Sequence, residues 1–202
     1  MSRNNLPQIS AHEKTVILEQ ARASLDIAGD FVEFGCYTGD TSIELGHILR
    51  STDRRLFLYD SFAGLPAKST QDSSPIGDNF KSGELIATKS DLIIRFKKAG
   101  LRLPIIKKAW FSDLTSADLP DQIAFAFLDG DFYESIRDSL KLVAPSMSPN
   151  STIIIHDYNN PALPGVTKAV DEFLLSFQRF AIGHSSHYTE TLALLTKIPS
   201  KK

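Results

Sequence analysis

The sequence predicts an α/β fold with one mainly parallel sheet of seven strands, helices on both faces and an antiparallel hairpin at one edge. Short β-branched or aromatic runs alternate with longer segments of helical spacing, which is the pattern of a sheet with crossover helices. Residues 123–128 and 152–155 are continuously apolar, as expected of central parallel strands that are covered on both faces. Two extended segments, 179–183 and 189–196, are close enough in sequence to form the edge hairpin.

The start and stop signals of the helices support the same alternation. Ser10 and Glu13 have the spacing of a capping box before the first helix, and Gly29 follows its end. A second pair, Thr41 and Glu44, has the spacing to open the second helix. We therefore predict helices over residues 15–28, 41–50, 83–98, 133–143 and 166–177, and the first three strands over 31–34, 56–59 and 103–106.

Composition indicates one ordinary domain and excludes several classes of partner. A chain of 202 residues buries a sufficient core without disulfides or metal, and we predict a helical extension over 1–30 and a ligand-binding domain over 31–202. The net charge of −2 argues against a nucleic-acid partner. The single Cys36 and the lack of a long apolar run predict a cytoplasmic protein that does not enter a membrane.

Polar residues at the carboxyl ends of the predicted strands indicate where a ligand binds. In an open parallel sheet, ligands bind outside these ends, near the point where the strand order reverses. The residues there include Glu33, Asp60, Asp129 and the pair His156 and Asp157. Each carboxylate alone is explained as well by a cap or a turn, whereas the set together indicates a binding site.

The turn after the first strand favours a nucleoside-containing cofactor. Gly35 and Gly39 let the backbone approach a ligand closely, and the following helix offers free N–H groups. A dinucleotide fingerprint is absent because the bulky Tyr37 stands where that pattern needs glycine, and the P-loop ending is absent too. Asp60, which ends the second strand, can accept hydrogen bonds from both ribose hydroxyls.

Several segments resemble class I S-adenosylmethionine-dependent methyltransferases, and more specifically the macrocin O-methyltransferase family. The similarity covers roughly residues 18–177. It is carried by FVEFGCYTG at 31–39, YDSFAGLP at 59–66, AWFS at 109–112, LDGDFYES at 128–135, IHDY at 155–158 and KAVDEF at 168–173. The resemblance implies a Rossmann-like methyltransferase domain over 31–202 that methylates sugar hydroxyls on macrolide and aminocoumarin natural products.

The resemblance also implies which residues bind the cofactor and a metal ion. Those that would line the S-adenosylmethionine site are Glu33, Gly35, Tyr37, Gly39, Asp60, Ser61, Phe62, Trp110 and Asp129. Members of the family typically hold Mg²⁺ with an aspartate after one strand and an aspartate pair after the next. The corresponding positions here are Asp129, His156 and Asp157, so one aspartate of the pair is replaced by histidine.

His156 leaves three interpretations open. A divalent ion is still bound, with His156 as a ligand or as its neighbour, although imidazole suits Mn, Fe, Co, Ni or Zn better than magnesium. Alternatively the metal is lost, and His156 or Asp129 is the general base. In the third, the site is degenerate. The alternative without a functional role is that His156 only hydrogen-bonds a neighbouring group at the strand end.

Other polar residues near these motifs have simpler predicted roles. Asp131 has capping-box spacing to Glu134, and Asp157 precedes a turn-forming stretch. Cys36 is expected to be an apolar filler beside the cofactor, while His184 and His187 are expected in a surface connection. The segment 64–79 is rich in Pro, Ser and Gly, and it is either a lid over the substrate or a surface loop.

These observations predict an S-adenosylmethionine-dependent O-methyltransferase, assisted by a divalent metal, that acts on a hydroxyl of a small molecule. The alternative hypothesis is a cofactor-binding module without turnover that has a regulatory or assembly role. A nicotinamide-dependent oxidoreductase is disfavoured because the dinucleotide fingerprint is absent. The resemblance also implies a homo-oligomer, a dimer or larger.

Overall fold

A computed structural model gives the fold and describes residues 9–183 and 191–199. Helices and strands alternate for most of the chain, as the sequence predicts. The helices are α1 (Ala11–Ala23), α2 (Asp40–Leu49), α3 (Lys89–Lys98), α4 (Tyr133–Ser146) and α5 (Pro164–Ser176). The strands are β1 (Asp30–Phe34), β2 (Leu56–Asp60), β3 (Ile105–Lys108), β4 (Ile123–Leu128), β5 (Met147–His156), β6 (Phe180–Gly183) and β7 (Leu192–Lys197).

The seven strands form one sheet in the order β3-β2-β1-β4-β5-β7-β6. The first five are parallel, whereas β7 runs antiparallel to both β5 and β6. The predicted fold class and the antiparallel edge pair are therefore confirmed. The chain moves outward from β1 to β3 and then returns to place β4 on the other side of β1. This reversal opens a crevice at the carboxyl ends of β1 and β4, where ligands bind in sheets of this type.

Alternate residues of the central strands face two separate apolar layers. On β1, Phe31 packs in the layer that contains Ile17 of α1 and Leu45 of α2. Val32, one residue later, packs in the opposite layer with Ile136 of α4. The side-chain period of two along a strand produces this division. Helix α1 is therefore part of the core, with Ile17 fully buried.

Several predicted boundaries differ from those in the structure. The capping box of Ser10 and Glu13 is confirmed, but α1 ends at Ala23 and a short 3-10 turn follows it. The box predicted from Thr41 and Glu44 is wrong, because Gly39, with φ +86°, occupies the N-cap position of α2 without a side-chain cap. Helix α3 starts after Thr88, whose hydroxyl caps it.

The strand boundaries differ in a similar way. β3 lies two residues later than predicted, and β5 begins five residues earlier, at Met147. His184 and His187 lie outside the described residues, as does the start of the last predicted strand. Within residues 9–183 and 191–199, the structure contains no helix with the length and apolar character needed to cross a bilayer.

Candidate active site

The crevice between β1 and β4 holds a cavity of about 420 Å³. Most of the site residues predicted from the sequence line it: Glu33, Gly35, Tyr37, Asp60, Ser61, Trp110, Asp129, His156 and Asp157. Two do not. Gly39 lies at the start of α2, and Phe62 is buried in the apolar layer beneath the crevice. The topology thus brings together residues that are more than 120 positions apart in the sequence.

The Asp60 carboxylate holds together the two turns that form the floor of the cavity. Its Oδ2 accepts hydrogen bonds from the backbone N–H groups of Cys36 and Tyr37, at 3.0 Å each. Its Oδ1 accepts from the N–H of Phe62 at 2.7 Å. Asp60 therefore fixes the turn after β1 against the end of β2, and its carboxylate still lines the cavity.

Gly35 lets the β1 turn approach the end of β4. Its φ is +83°, and a Cβ atom at this position would lie 1.9 Å from the carbonyl oxygen of Asp129. No side chain fits in that space. The glycine predicted from the sequence to permit close approach to a ligand is thus also needed for the contact between β1 and β4.

Glu33 is a buried carboxyl at one wall of the cavity. Only 1% of its surface is exposed, and the Ser42 hydroxyl donates to its Oε2 at 2.6 Å. Burial raises the pKa of Glu33 from 4.5 to about 8, with smaller contributions from the charges of Asp129 and Asp60, while the Ser42 hydrogen bond opposes the rise. In the protein without ligand, Glu33 is therefore mostly protonated at neutral pH.

His156 lies at the end of β5 with carboxylates at both ring nitrogens. Its Nδ1 is 3.1 Å from Asp129 Oδ1 and 3.0 Å from Asp157 Oδ2, while its Nε2 is 3.5 Å from Glu13 Oε1. Burial alone would lower the pKa of His156, but the neighbouring carboxylates, Asp129 first, raise it well above its ordinary value. Without a bound metal ion, the imidazole is therefore positively charged.

Glu13 was not identified as a site residue from the sequence. It lies in the first turn of α1 and is 7% exposed. Contact with His156 is the largest cause that lowers its pKa, and burial opposes this effect. The sequence signal at Glu13, a capping box, predicts only a helix start. Nothing in that pattern indicates that the same carboxylate also reaches β5.

Asp131 does not cap α4 as the sequence predicts. The N-cap position is Phe132, and Asp131 has a φ of 58° and lines the cavity. The N–H of Tyr133 instead donates to Asp72 Oδ1 at 2.7 Å, so a loop carboxylate serves the start of this helix. Burial, followed by the charges of Asp129 and Asp157, raises the pKa of Asp131 well above its ordinary value.

Asp157 and Cys36 match their predicted simple roles. Asp157, with φ 61°, accepts a hydrogen bond on Oδ1 from the Asn160 side chain at 2.6 Å, as a turn residue does. Its other oxygen contacts His156, so the turn role does not exclude a role in the site. Cys36 is 5% exposed, and burial raises the pKa of its thiol, which favours the unreactive neutral form.

The loop between β2 and α3 forms one wall of the cavity through Gly64, Leu65, Pro66, Phe80 and Leu85. Asp72, 2% exposed, anchors this loop to the start of α4. Ser74 provides a second anchor by donating to the carbonyl oxygen of Pro161 at 2.8 Å. The segment is thus fastened at its middle, and its role as a lid stays a prediction.

Three side chains at the edge of the cavity have the spacing of a metal site. One ligand atom from each of Asp129, His156 and Asp157 lies within 4.8 Å of the other two. The set offers one imidazole nitrogen and two carboxylate oxygens. Such donors suit Mn²⁺, Fe²⁺, Co²⁺ or Zn²⁺ better than Mg²⁺, which prefers oxygen alone.

Comparisons with known proteins show what the chain is similar to. A family model described as Macrocin-O-methyltransferase (TylF) matches residues 6–178. A Streptomyces olivaceus protein named 8-demethyl-8-(2,3-dimethoxy-alpha-L-rhamnosyl)-tetracenomycin-C 4'-O-methyltransferase is 32% identical over 141 residues, which is 65% of this chain and 54% of that protein. The demethyldecarbamoylnovobiocin O-methyltransferase of Streptomyces niveus is 28% identical over 162 residues, 75% of this chain and 60% of that protein. The chain thus spans little more than half the length of these relatives.

Solved structures share the fold. The O-methyltransferase NovP superposes with a TM-score of 0.81 at 23% identity, over 93% of this chain and 80% of that one. The calicheamicin methyltransferase CalS11 superposes with a TM-score of 0.73 at 20% identity, over 96% of this chain and 83% of that one. Because the family model matches most of the sequence, the chain belongs to the TylF macrocin-O-methyltransferase family.

Proposed function

We propose that this protein is an S-adenosylmethionine-dependent O-methyltransferase whose acceptor is a hydroxyl of a small molecule, with a natural-product sugar as the expected class. The observation that carries the proposal is the cavity at the β1/β4 reversal, with the Asp60-bridged turns at its floor and the His156 group at its edge. Its volume, about 420 Å³, lies in the range of small-molecule sites. The family and the two named relatives support the same chemistry.

In this proposal the cofactor lies along β1 and β2. Asp60 accepts hydrogen bonds from the ribose, and Glu33, Gly35, Tyr37 and Gly39 border the methionine and ribose part. Ser61, Phe62, Trp110 and Asp129 complete the predicted cofactor set. Gly39 and Phe62 do not line the cavity, so their place in this set rests on the family resemblance.

The reaction needs few protein groups. Bound S-adenosylmethionine would supply the methyl group on a sulfonium: the acceptor oxygen would bond to the methyl carbon while the bond from that carbon to sulfur breaks, which would leave S-adenosylhomocysteine as a neutral thioether. The protein must align the two reactants, exclude water and receive the hydroxyl proton. Asp129 lines the cavity and has a carboxylate that can receive it. His156 is less suited to be the base, because three carboxylates hold it in the protonated form.

The residues at the edge of the cavity fit a divalent ion. Asp129, Asp157 and Nδ1 of His156 would hold it, while Glu13 contacts the other ring nitrogen, as carboxylates near metal-binding histidines commonly do. A bound ion would lower the pKa of the acceptor hydroxyl. His156 would release its Nδ1 proton when such an ion binds.

Calorimetric titration with S-adenosylhomocysteine tests the proposal. We expect binding to the wild type, and a clear loss of affinity in Asp60→Ala, because the turns lose their shared acceptor. Asp53→Ala is the matched control, since Asp53 is exposed on the loop before β2, away from the cavity. Absence of binding in the low-millimolar range, or equal affinities in the two variants, would contradict the proposal.

A further inference from the structure

We infer that Glu13 of helix α1 is a positioning residue of the active site, which holds His156 so that its Nδ1 faces Asp129 and Asp157. This inference deepens the proposed function and rests on it for its catalytic meaning. The contact between Glu13 and His156 is nevertheless a property of the protein alone. It can be tested without an acceptor and without a metal ion.

The two nitrogens of His156 lie on different sides of the ring, and each meets a different part of the fold. Nδ1 faces carboxylates at the ends of β4 and β5, at 3.1 and 3.0 Å. Nε2 faces Glu13 Oε1 at 3.5 Å. A half-turn of the ring about its bond to Cβ would exchange Nδ1 for a carbon atom, which neither accepts nor donates a strong hydrogen bond. Glu13 opposes that half-turn, because its Oε1 would then face a ring carbon atom instead of Nε2.

Glu13 is itself held in place by contacts to both of its carboxylate oxygens. Its Oε2 accepts the backbone N–H of Ser10 at 2.9 Å, which closes the capping box. Its Oε1 accepts from the hydroxyl of Thr191 and faces His156. A capping box needs only one carboxylate oxygen. The second oxygen, which contacts Thr191 and His156, is therefore not explained by the cap.

The burial of this carboxylate also indicates a role beyond the helix start. The side chains of Glu13 and His156 are 9% and 7% exposed. A carboxylate removed from water is costly unless charged or polar partners compensate it. A capping glutamate can accept its hydrogen bond from the N-cap backbone at the protein surface, whereas Glu13 lies against a histidine at the cavity edge. Helix α1 also supplies Lys14 to the cavity lining.

Two variants separate the positioning role from the capping role. Glu13→Gln retains a side chain that can complete the capping box but removes the negative charge beside Nε2. Ser10→Ala breaks the capping box and leaves the contact with His156. Both proteins are labelled with ¹⁵N-histidine, and the ring resonances of His156 are assigned by comparison with His156→Asn.

We expect the Nε2 proton of His156 to exchange slowly in the wild type and in Ser10→Ala. In Glu13→Gln it should exchange about tenfold faster or more, as expected when a hydrogen bond to a charged group is lost. The inference is overturned if Glu13→Gln leaves the exchange rate and ring shifts of His156 unchanged, or if Ser10→Ala alters them as strongly.

Binding of S-adenosylhomocysteine to the same proteins keeps the two proposals apart. We expect affinities within about twofold of the wild type in both variants, since a lost contact outside the cofactor turns contributes little there. If the wild type does not bind S-adenosylhomocysteine, the proposed function fails, while the exchange rates still decide the role of Glu13. If Glu13→Gln is poorly stable, Thr191→Val replaces it. Removing this second restraint on Glu13 should also speed exchange at His156, and an unchanged rate would count against the inference.

Discussion

Replacing Glu33 by glutamine should remove a pH-dependent loss of stability. In the folded protein the pKa of Glu33 is about 8 against an ordinary value of 4.5, so the native state binds a proton that the unfolded state releases within this range. Stability therefore falls as pH rises from 4.5 to about 8. The slope is about 1.4 kcal/mol per pH unit, and the whole interval corresponds to about 5 kcal/mol. Glu33→Gln lacks this titration and can still accept from Ser42.

Urea unfolding of both proteins between pH 5 and 8.5, without cofactor, measures the effect. We expect the two stabilities to be closest near pH 5, with the variant more stable by about 4 kcal/mol at pH 8. Glu44→Gln is the matched control, because the Glu44 side chain is 41% exposed and pairs with Lys14 at 3.4 Å. The difference in free energy of unfolding between Glu44→Gln and the wild type should change little with pH. A constant difference between wild type and Glu33→Gln would refute a protonated, buried Glu33.

Three further substitutions test other parts of the structure. Gly35→Ala should destabilise the protein by at least about 2 kcal/mol and abolish S-adenosylhomocysteine binding, because the added Cβ would lie 1.9 Å from the carbonyl oxygen of Asp129. Unfolding and binding curves of the variant that equal those of the wild type would contradict this prediction. Asp72→Ala should lower the free energy of unfolding by about 1 kcal/mol, as the loss of a helix cap does, because the N–H of Tyr133 loses its acceptor. Amide exchange in residues 64–79 should become faster for the same reason. Unchanged exchange in these residues would show that other contacts hold the loop. His156→Asp should raise the affinity for Mg²⁺ relative to Mn²⁺, because all three donors are then oxygen atoms. If calorimetric titration gives the same ratio of Mg²⁺ to Mn²⁺ affinity in the variant and the wild type, His156 is not a ligand.

The central part of the fold is predictable from the sequence, because buried parallel strands are continuously apolar. β4 has the predicted bounds for this reason. The edge strand β3 is harder to place, since three of its four residues are exposed and its last two are lysines. Without a buried face, hydrophobic periodicity does not fix the register or the ends of a strand.

The site could be predicted only in part, because sequence patterns report local contacts first. Asp60 ends β2 and Asp129 follows β4, so the topology alone brings them to one crevice. The same kind of spacing predicts a helix cap at both Glu13 and Asp131, yet of these two only Glu13 closes a capping box. At Asp131 a loop residue 59 positions earlier, Asp72, takes the expected role. Local spacing does not reveal that a residue so distant in the sequence provides the cap.

The position of β7 also has a consequence for biosynthesis on the ribosome. β7 pairs with β5 on one side and β6 on the other, although it follows both in the chain. Until residues 192–197 have emerged, the apolar edge of β5 has no neighbour on that side, and β6 has no strand to join. The nascent chain therefore presents an open sheet edge late in translation. Chaperone capture at that stage, and aggregation in cells that lack chaperones, should concentrate on β5.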